Sequence, residues 1–175
     1  MSIDWAQVYD STYDDLVRFL YRKVWDADRA QDLAQETFVR CLRTAADART
    51  LQNVRAFVFT VATNLARDEA RTVLRRRKHL VLLKGEAETT PCVAEDAAAV
   101  LERARRVAAV ETALAELSER DREVLLLWDA GLSYPEIAQH TGLAISAIGT
   151  TLSRARRRLV DAYDEIERQK HVAHR

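Results

Sequence analysis

Apolar side chains recur every three or four residues along most of this chain and almost nowhere alternate. Val8, Leu16, Val17, Leu20 and Val24 form one stripe, extended by Trp5, Tyr9 and Tyr13, which predicts an amphipathic helix. Asp26-Ala27-Asp28 interrupts the stripe and can break and cap. A second helix follows, with Ala30, Leu33, Ala34, Thr37, Phe38, Cys41 and Leu42 on one face. Asp32, Gln35, Glu36 and Arg40 lie on the other. Residues 44–53 read as a polar loop. Val54, Phe57, Val61 and Leu65 then set a third pattern; Phe57 to Val61 has some strand character, but the four-residue spacing outlasts a strand. The reading is a helix running into Arg75-Arg76-Arg77-Lys78.

Gly85, Pro91, two threonines and several acids make 79–95 an interdomain linker. A second helical unit opens near Asp96, with Val100, Val107, Val110, Leu114 and Leu117 as apolar positions. Ser118 followed by Asp121 resembles a helix start, Val124 to Trp128 supplies a core face, and Gly131 ends that helix. Ser133 with Glu136 three residues on reads as a capping box, and Pro135 falls in the first turn, where its missing N–H costs little. Gly142 terminates the next helix, and another starts at 144–146. The expected fold is all-α: two small helical domains joined by a flexible acidic linker. The expected boundaries are 1–80, a linker over 81–96, a second domain over 97–170 and a tail over 171–175.

Within the second domain, Ala138, Gly142, Ile148 and Leu152 reproduce helix-turn-helix spacing. A small residue admits the second helix, Gly permits the left-handed turn, and branched residues lock the pair. The last helix should expose Ser146, Thr150, Ser153, Arg154 and Arg157, a mixture suited to base edges and phosphates.

Composition narrows the choice. With 48% apolar and 31% charged residues the chain can fold, while 4 Gly and 2 Pro are too few for an all-β chain or a glycine-rich phosphate loop. Cys41 and Cys92 form no C-x-x-C pair, as expected in a reducing compartment. Met1 to Trp5 has no leader pattern and no apolar run reaches membrane length, so the expected place is the cytoplasm, without membrane insertion. His79, His140, His171 and His174 are scattered and no catalytic set shares a helix face. Neither an enzyme, a metal nor a cofactor is expected; Cys41 reads as core.

The 27 basic and 27 acidic residues cancel, but not locally. Acids dominate residues 1–36 and 85–102, whereas bases cluster over 67–84 and at Arg154, Arg156, Arg157 and Arg158. Basic patches suggest phosphate contact and acidic faces protein contact.

These segments together resemble bacterial extracytoplasmic-function sigma factors. Ser133-Tyr134-Pro135-Glu136-Ile137-Ala138, Gly142-Leu143 and Leu152-Ser153-Arg154-Ala155-Arg156-Arg157-Arg158-Leu159 look like their region four, with Ala113-Leu114 to Leu117-Ser118-Glu119-Arg120-Asp121-Arg122-Glu123-Val124 matching the preceding helix. Asp32-Leu33-Ala34-Gln35-Glu36-Thr37-Phe38 resembles region two. Ala56-Phe57, Asn64-Leu65-Ala66-Arg67-Asp68 and Arg75-Arg76-Arg77 are similar to its promoter-reading helix. The resemblance implies a transcription initiation factor that binds core RNA polymerase and promoter DNA and answers to an anti-sigma factor. Asp32, Leu33, Gln35, Glu36 and Arg40 would dock on polymerase. Asn53, Asn64, Arg67, Asp68, Arg71 and Arg75 would read the −10 element, with the 44–53 loop holding an unstacked base. Ser146, Gly149, Thr150, Ser153, Arg154 and Arg157 would read the −35 element. Gly149 and Thr151 stand where the family commonly carries Lys or Arg, and Gly149 is expected to be a weak position. The rival reading is a stand-alone helix-turn-helix regulator, although no dimerising helix follows the reading head. A sigma mimic that sequesters an anti-sigma protein is the third.

Overall fold

The computed structural model describes residues 3–44, 53–81 and 97–173, with only the backbone at 73–81, 97–98 and 170–173. The polar loop over 45–52 and the linker over 82–96 lie outside the described residues. Those described form seven helices and no strand.

Helix α1 (Trp5–Val24) starts on Asp4, whose Oδ1 accepts the Ala6 and Gln7 N–H groups at 3.1 Å each. It ends at Trp25, which takes the left-handed conformation at φ 56° and donates its N–H to the Tyr21 carbonyl at 2.6 Å. Asp26 then accepts the Arg29 N–H at 2.9 Å and starts α2 (Ala27–Thr44). The expected break is therefore present, but a tryptophan makes the turn. Asn53 caps α3 (Val54–Val81) by accepting the Ala56 N–H at 3.0 Å. The strand-like stretch is helical because its bulky side chains are core: Val58 and Phe59 are both 0% exposed, and burial overrides local propensity. Phe59 meets Phe19 edge-on at 5.2 Å, joining α3 to α1. With no Gly or Pro before Gly85, α3 runs to Val81, one residue into the span expected to be linker.

The second unit comprises α4 (Ala97–Ala115), α5 (Glu119–Asp129), α6 (Tyr134–Thr141) and α7 (Ile145–Ala173). Ser118 Oγ accepts the Asp121 N–H at 3.1 Å, and Gly142 closes α6 at φ 71° by donating to the Ala138 carbonyl at 2.9 Å. Ile137, Ile148 and Ala155 are fully buried where α7 crosses α5 and α6, as helix-turn-helix spacing requires.

The two units also pack on each other: α1 touches α5, α3 touches α6, and one hydrophobic cluster runs through both. Nothing in the apolar periodicity announced that contact, because polar side chains make much of it.

Phe59→Ala should destabilise the chain by about 3–5 kcal/mol, since it leaves a cavity between α1 and α3. Urea unfolding would measure this; a loss below about 1 kcal/mol would mean that the Phe19–Phe59 packing collapses into the space.

Candidate nucleic-acid and polymerase interface

The reading head is held from both sides. At the start of α6, Glu136 Oε2 accepts the Ser133 N–H and hydroxyl at 2.6 Å each, so the capping-box carboxylate fixes the entry to the motif. On α7, Ser146, Thr150, Ser153 and Arg157 are exposed and recur at three- and four-residue steps, forming one continuous stripe. Arg154 sits beside that stripe but is engaged elsewhere. It grips Asp121 of α5 at 2.7 and 3.4 Å, and Arg158 takes the same carboxylate at 2.9 Å. Asp121 is 1% exposed. The Arg154 hydrogen bond, against the opposing effect of burial, holds its carboxyl below the usual range. Arg156 lies over the Trp128 ring at 3.8 Å. Among the described residues, Arg154 and Arg158 of the arginine run are held by Asp121 and Arg156 by Trp128, which leaves Arg157 exposed and available.

Gly149 and Thr151 occupy different environments from those expected. Thr151 is 6% exposed and points into the motif's core, so a cation there would be buried. A Cβ on Gly149 would meet the Tyr134 ring at 3.6 Å; its bare backbone lies against α6.

On α2, Asp32, Gln35, Glu36 and Arg40 form the expected polar ridge. Leu33 does not face outward with them; at 3% exposed it packs in the core beneath. Arg40 donates to Glu36 at 2.8 Å, and Arg29 lies 3.7 Å from Asp32 while gripping Glu69 of α3 at 2.7 and 2.9 Å. The ridge is thus partly neutralised within the chain. Val39 (39%) and Leu42 (51%) are exposed next to it. Leu42 was expected to be core, and these two apolar positions went unrecognised as part of the face.

An open groove of about 560 Å³ runs between this ridge and α3, bounded by Asp32, Glu36 and Arg40 on one side and Asp68 and Thr72 on the other. Asn64, Arg67, Asp68 and Arg71 are exposed on successive turns of α3. Arg75 continues the register, its side chain lying outside the described residues. Asn53 stands apart: about 16 Å up the helix from Asn64, its Nδ2 donates to Glu136 Oε1 of α6 at 2.9 Å.

Cys41 is buried, and burial pushes its thiol up to about 11, so it is an inert core residue. His140 is enclosed between Glu123 at 3.1 Å and Thr60 at 3.2 Å. The side chains of His79, Cys92, His171 and His174 lie outside the described residues. Among those described, no three metal-ligating side chains gather, and no helix is long and apolar enough to cross a membrane.

Residues 8–77 match the family described as Sigma-70 region 2, and residues 108–159 that described as Sigma-70, region 4. The chain is 30% identical over 151 residues to the RNA polymerase sigma factor YlaC of Bacillus subtilis, covering 85% of this chain and 86% of that protein. It is 33% identical over 135 residues to the ECF RNA polymerase sigma factor EcfG of Rhodopseudomonas palustris, covering 77% and 71%. Among solved structures it is similar to the sigma factor RpoE in complex with the anti-sigma factor NepR from Bartonella quintana. That likeness has a TM-score of 0.66 at 25% identity, over 92% of this chain and 97% of that one.

Two substitutions test the reading head. Asp121→Asn leaves Arg154 and Arg158 without their carboxylate and should cost about 1–3 kcal/mol. Because the Asp121 pKa is depressed in the fold, the wild-type advantage should be complete well above pH ~4 and shrink as pH falls below it. Unfolding curves at several pH values would show this, and a pH-independent gap would contradict it. Gly149→Ala adds a methyl at ordinary contact distance and should raise stability by up to about 1 kcal/mol; a loss would show that the Tyr134 ring cannot accommodate it.

Proposed function

The chain belongs to the extracytoplasmic-function sigma factors, promoter-specific initiation factors of bacterial RNA polymerase, and from that premise we propose how its two helical units divide the work. The first unit, α1 to α3, docks on core polymerase through the Asp32–Gln35–Glu36–Arg40 ridge and reads the −10 element with Asn64, Arg67, Asp68, Arg71 and Arg75. The second unit, α4 to α7, reads the −35 element. The observation carrying this division is the unbroken, exposed α7 stripe of Ser146, Thr150, Ser153 and Arg157, presented by a helix-turn-helix whose Ile137, Ile148, Leu152 and Ala155 are buried in packing. Short hydroxyl side chains can reach base edges, and the free guanidinium of Arg157 suits a phosphate or guanine. Arg154 acts through Asp121 by setting the angle of α7 on α5. Asn53 and Gly149 contribute to DNA contact less directly than α3 and the stripe do.

Core polymerase and promoter DNA are the partners, and the place of action is the cytoplasm, where both are found. An anti-sigma protein is a further expected partner, since the similar RpoE was captured with one. The protein acts by binding and carries no catalytic step of its own.

Asp32→Lys with Glu36→Lys should abolish capture of core polymerase while preserving helical content, because like charges then face each other across the contact. A folded double variant that still binds core enzyme would overturn the ridge assignment. If the wild-type chain eluted alone as a dimer and ignored core polymerase, a stand-alone regulator would be the better description. In holoenzyme, Arg157→Ala should weaken binding to a promoter carrying the upstream element and lower the salt slope by about one phosphate. Asn64→Ala should impair opening at the downstream element; if each variant affected every promoter alike, the division of labour would be wrong.

A further inference from the structure

The α7 stripe continues past the residues that suit base and phosphate contact. Ser146, Thr150, Ser153 and Arg157 are followed, in the same three- and four-residue steps, by Asp161 and Asp164, and all six are exposed. One unbroken helix, Ile145–Ala173, carries them, so the two acids keep the register of the four residues before them. A face that opens with three hydroxyls and a guanidinium closes on two carboxylates.

Helix stability does not account for these acids. Asp is among the weaker helix formers. An acid four residues after a cation, as Asp161 is after Arg157, is the less favourable order of such a pair. The next cation along the stripe, Arg168, is drawn aside: it donates to the Asp164 carbonyl at 3.3 Å and pairs with Glu165 at 2.8 Å. Packing does not need them either. Leu159, Ala162, Tyr163 and Ile166, the partly buried apolar residues of this half of α7, lie on the other side of the helix.

Length decides what the two acids can do. At about 1.5 Å per residue, Ser146 to Arg157 spans roughly 16 Å, already more than the ~12 Å width of the major groove. Asp161 and Asp164 lie about 6 and 10 Å further along. A carboxylate inside the groove can accept a hydrogen bond from cytosine. One past its edge meets phosphates, within about one Debye length of them at physiological salt. There it can only repel.

We propose that Asp161 and Asp164 form an electrostatic stop at the end of the reading helix, which holds down sequence-independent contact of α7 with DNA and so sharpens recognition of the −35 element. The inference rests on the α7 stripe being the DNA-facing surface. The stop acts on poses rather than on bases. In the register where Ser146 to Ser153 reach base edges, the acids stand clear of the backbone. A slid or tilted helix brings them against phosphate, so a wrong register is penalised more than the right one.

The test uses holoenzyme and a promoter recovered from its own transcripts, in two forms that share the −10 element, one with the −35 element intact and one with it scrambled. Asp161→Asn with Asp164→Asn removes both charges while keeping side-chain shape. Binding to the scrambled form should tighten roughly threefold at low salt with little change on the intact one, so the preference between them falls by the same factor. The gain should fade as salt rises, because the Debye length shortens from about 10 Å at 0.1 M to about 3 Å at 1 M. Asp10→Asn with Asp14→Asn, which removes two exposed charges from α1, should leave the preference unaltered. An unchanged preference in the α7 double variant, with normal helical content, would overturn the proposal. So would weaker binding to the intact form, which would make the acids base readers, or lost transcription with unaltered DNA binding, which would place a protein partner on them. Arg157→Ala separates the stop from its premise: if that variant loses no affinity for the intact form, the stripe is not the DNA face and the stop falls with it.

Discussion

Helix α5 buries two carboxylates two residues apart, and α1, α3, α6 and α7 each supply a side chain that pairs with one of them. Asp121 and Glu123 are 1% and 4% exposed, and neither could stay ionised there without cations and donors around it. Their surroundings differ. Asp121 draws its partners, Arg154 and Arg158, from α7, inside the second unit. Glu123 draws Lys23 and Thr63 from the first unit and His140 from α6. Burial works to raise the Glu123 pKa, but the His140 hydrogen bond and the Lys23 charge outweigh it and hold the group at about 2. Lys23 is pushed the other way, its pKa lowered chiefly by the same burial. The carboxylate decides the state of the cluster, because several donors converge on it while Lys23 has Glu123 as its main counter-charge. One short helix therefore sets both the pose of the reading head and the register between the units.

That arrangement sorts the arginines by job. Four of them in α7 look equivalent along the chain, yet Arg154 and Arg158 are anchors, Arg156 covers Trp128, and Arg157 stays available. The same holds on α3. Arg55 is spent on Asp15 and the Ala130 carbonyl, Arg67 leans towards Glu119, and Arg71 lies 3.6 Å from Asp68 near the α2 groove. Positive charge on a helix is no measure of DNA contact until the acids that already hold it are counted.

This is also where reading the chain directly reached its limit. Helix periodicity, the Ser118 and Ser133 starts and the Gly142 turn are local features, fixed by neighbours within four residues, and were legible. So was the α7 stripe, since its spacing alone puts Ser146, Thr150, Ser153 and Arg157 together. Arg154 was given an outward-facing role for the same reason, and a distant partner intervenes; Leu33 was read on the apolar face, where it is buried, and only the family resemblance placed it among the docking residues. Trp25 could not be foreseen as the turn residue, because the left-handed conformation rarely suits a bulky side chain. The role of Asn53 as both α3 cap and interdomain donor needs a partner 83 positions away. Buried acids were the available signal: Asp121 and Glu123 lead into the continuous apolar run Val124 to Leu127, whose side chains are buried on every side of the helix, and a carboxylate at such a position implies a cation from elsewhere.

The absence of net charge acquires a physical meaning from the same contacts. With 27 basic and 27 acidic residues, the chain as a whole offers little long-range attraction to DNA. Part of that neutrality is local, because three first-unit cations face second-unit carboxylates across the contact. Arg22, Lys23 and Arg67 each have a second-unit carboxylate beside them, and Arg55 a carbonyl as well as Asp15. Net neutrality is a sum over the whole chain, whereas the field a polyanion meets is set by which of these cations already has a counter-charge at hand.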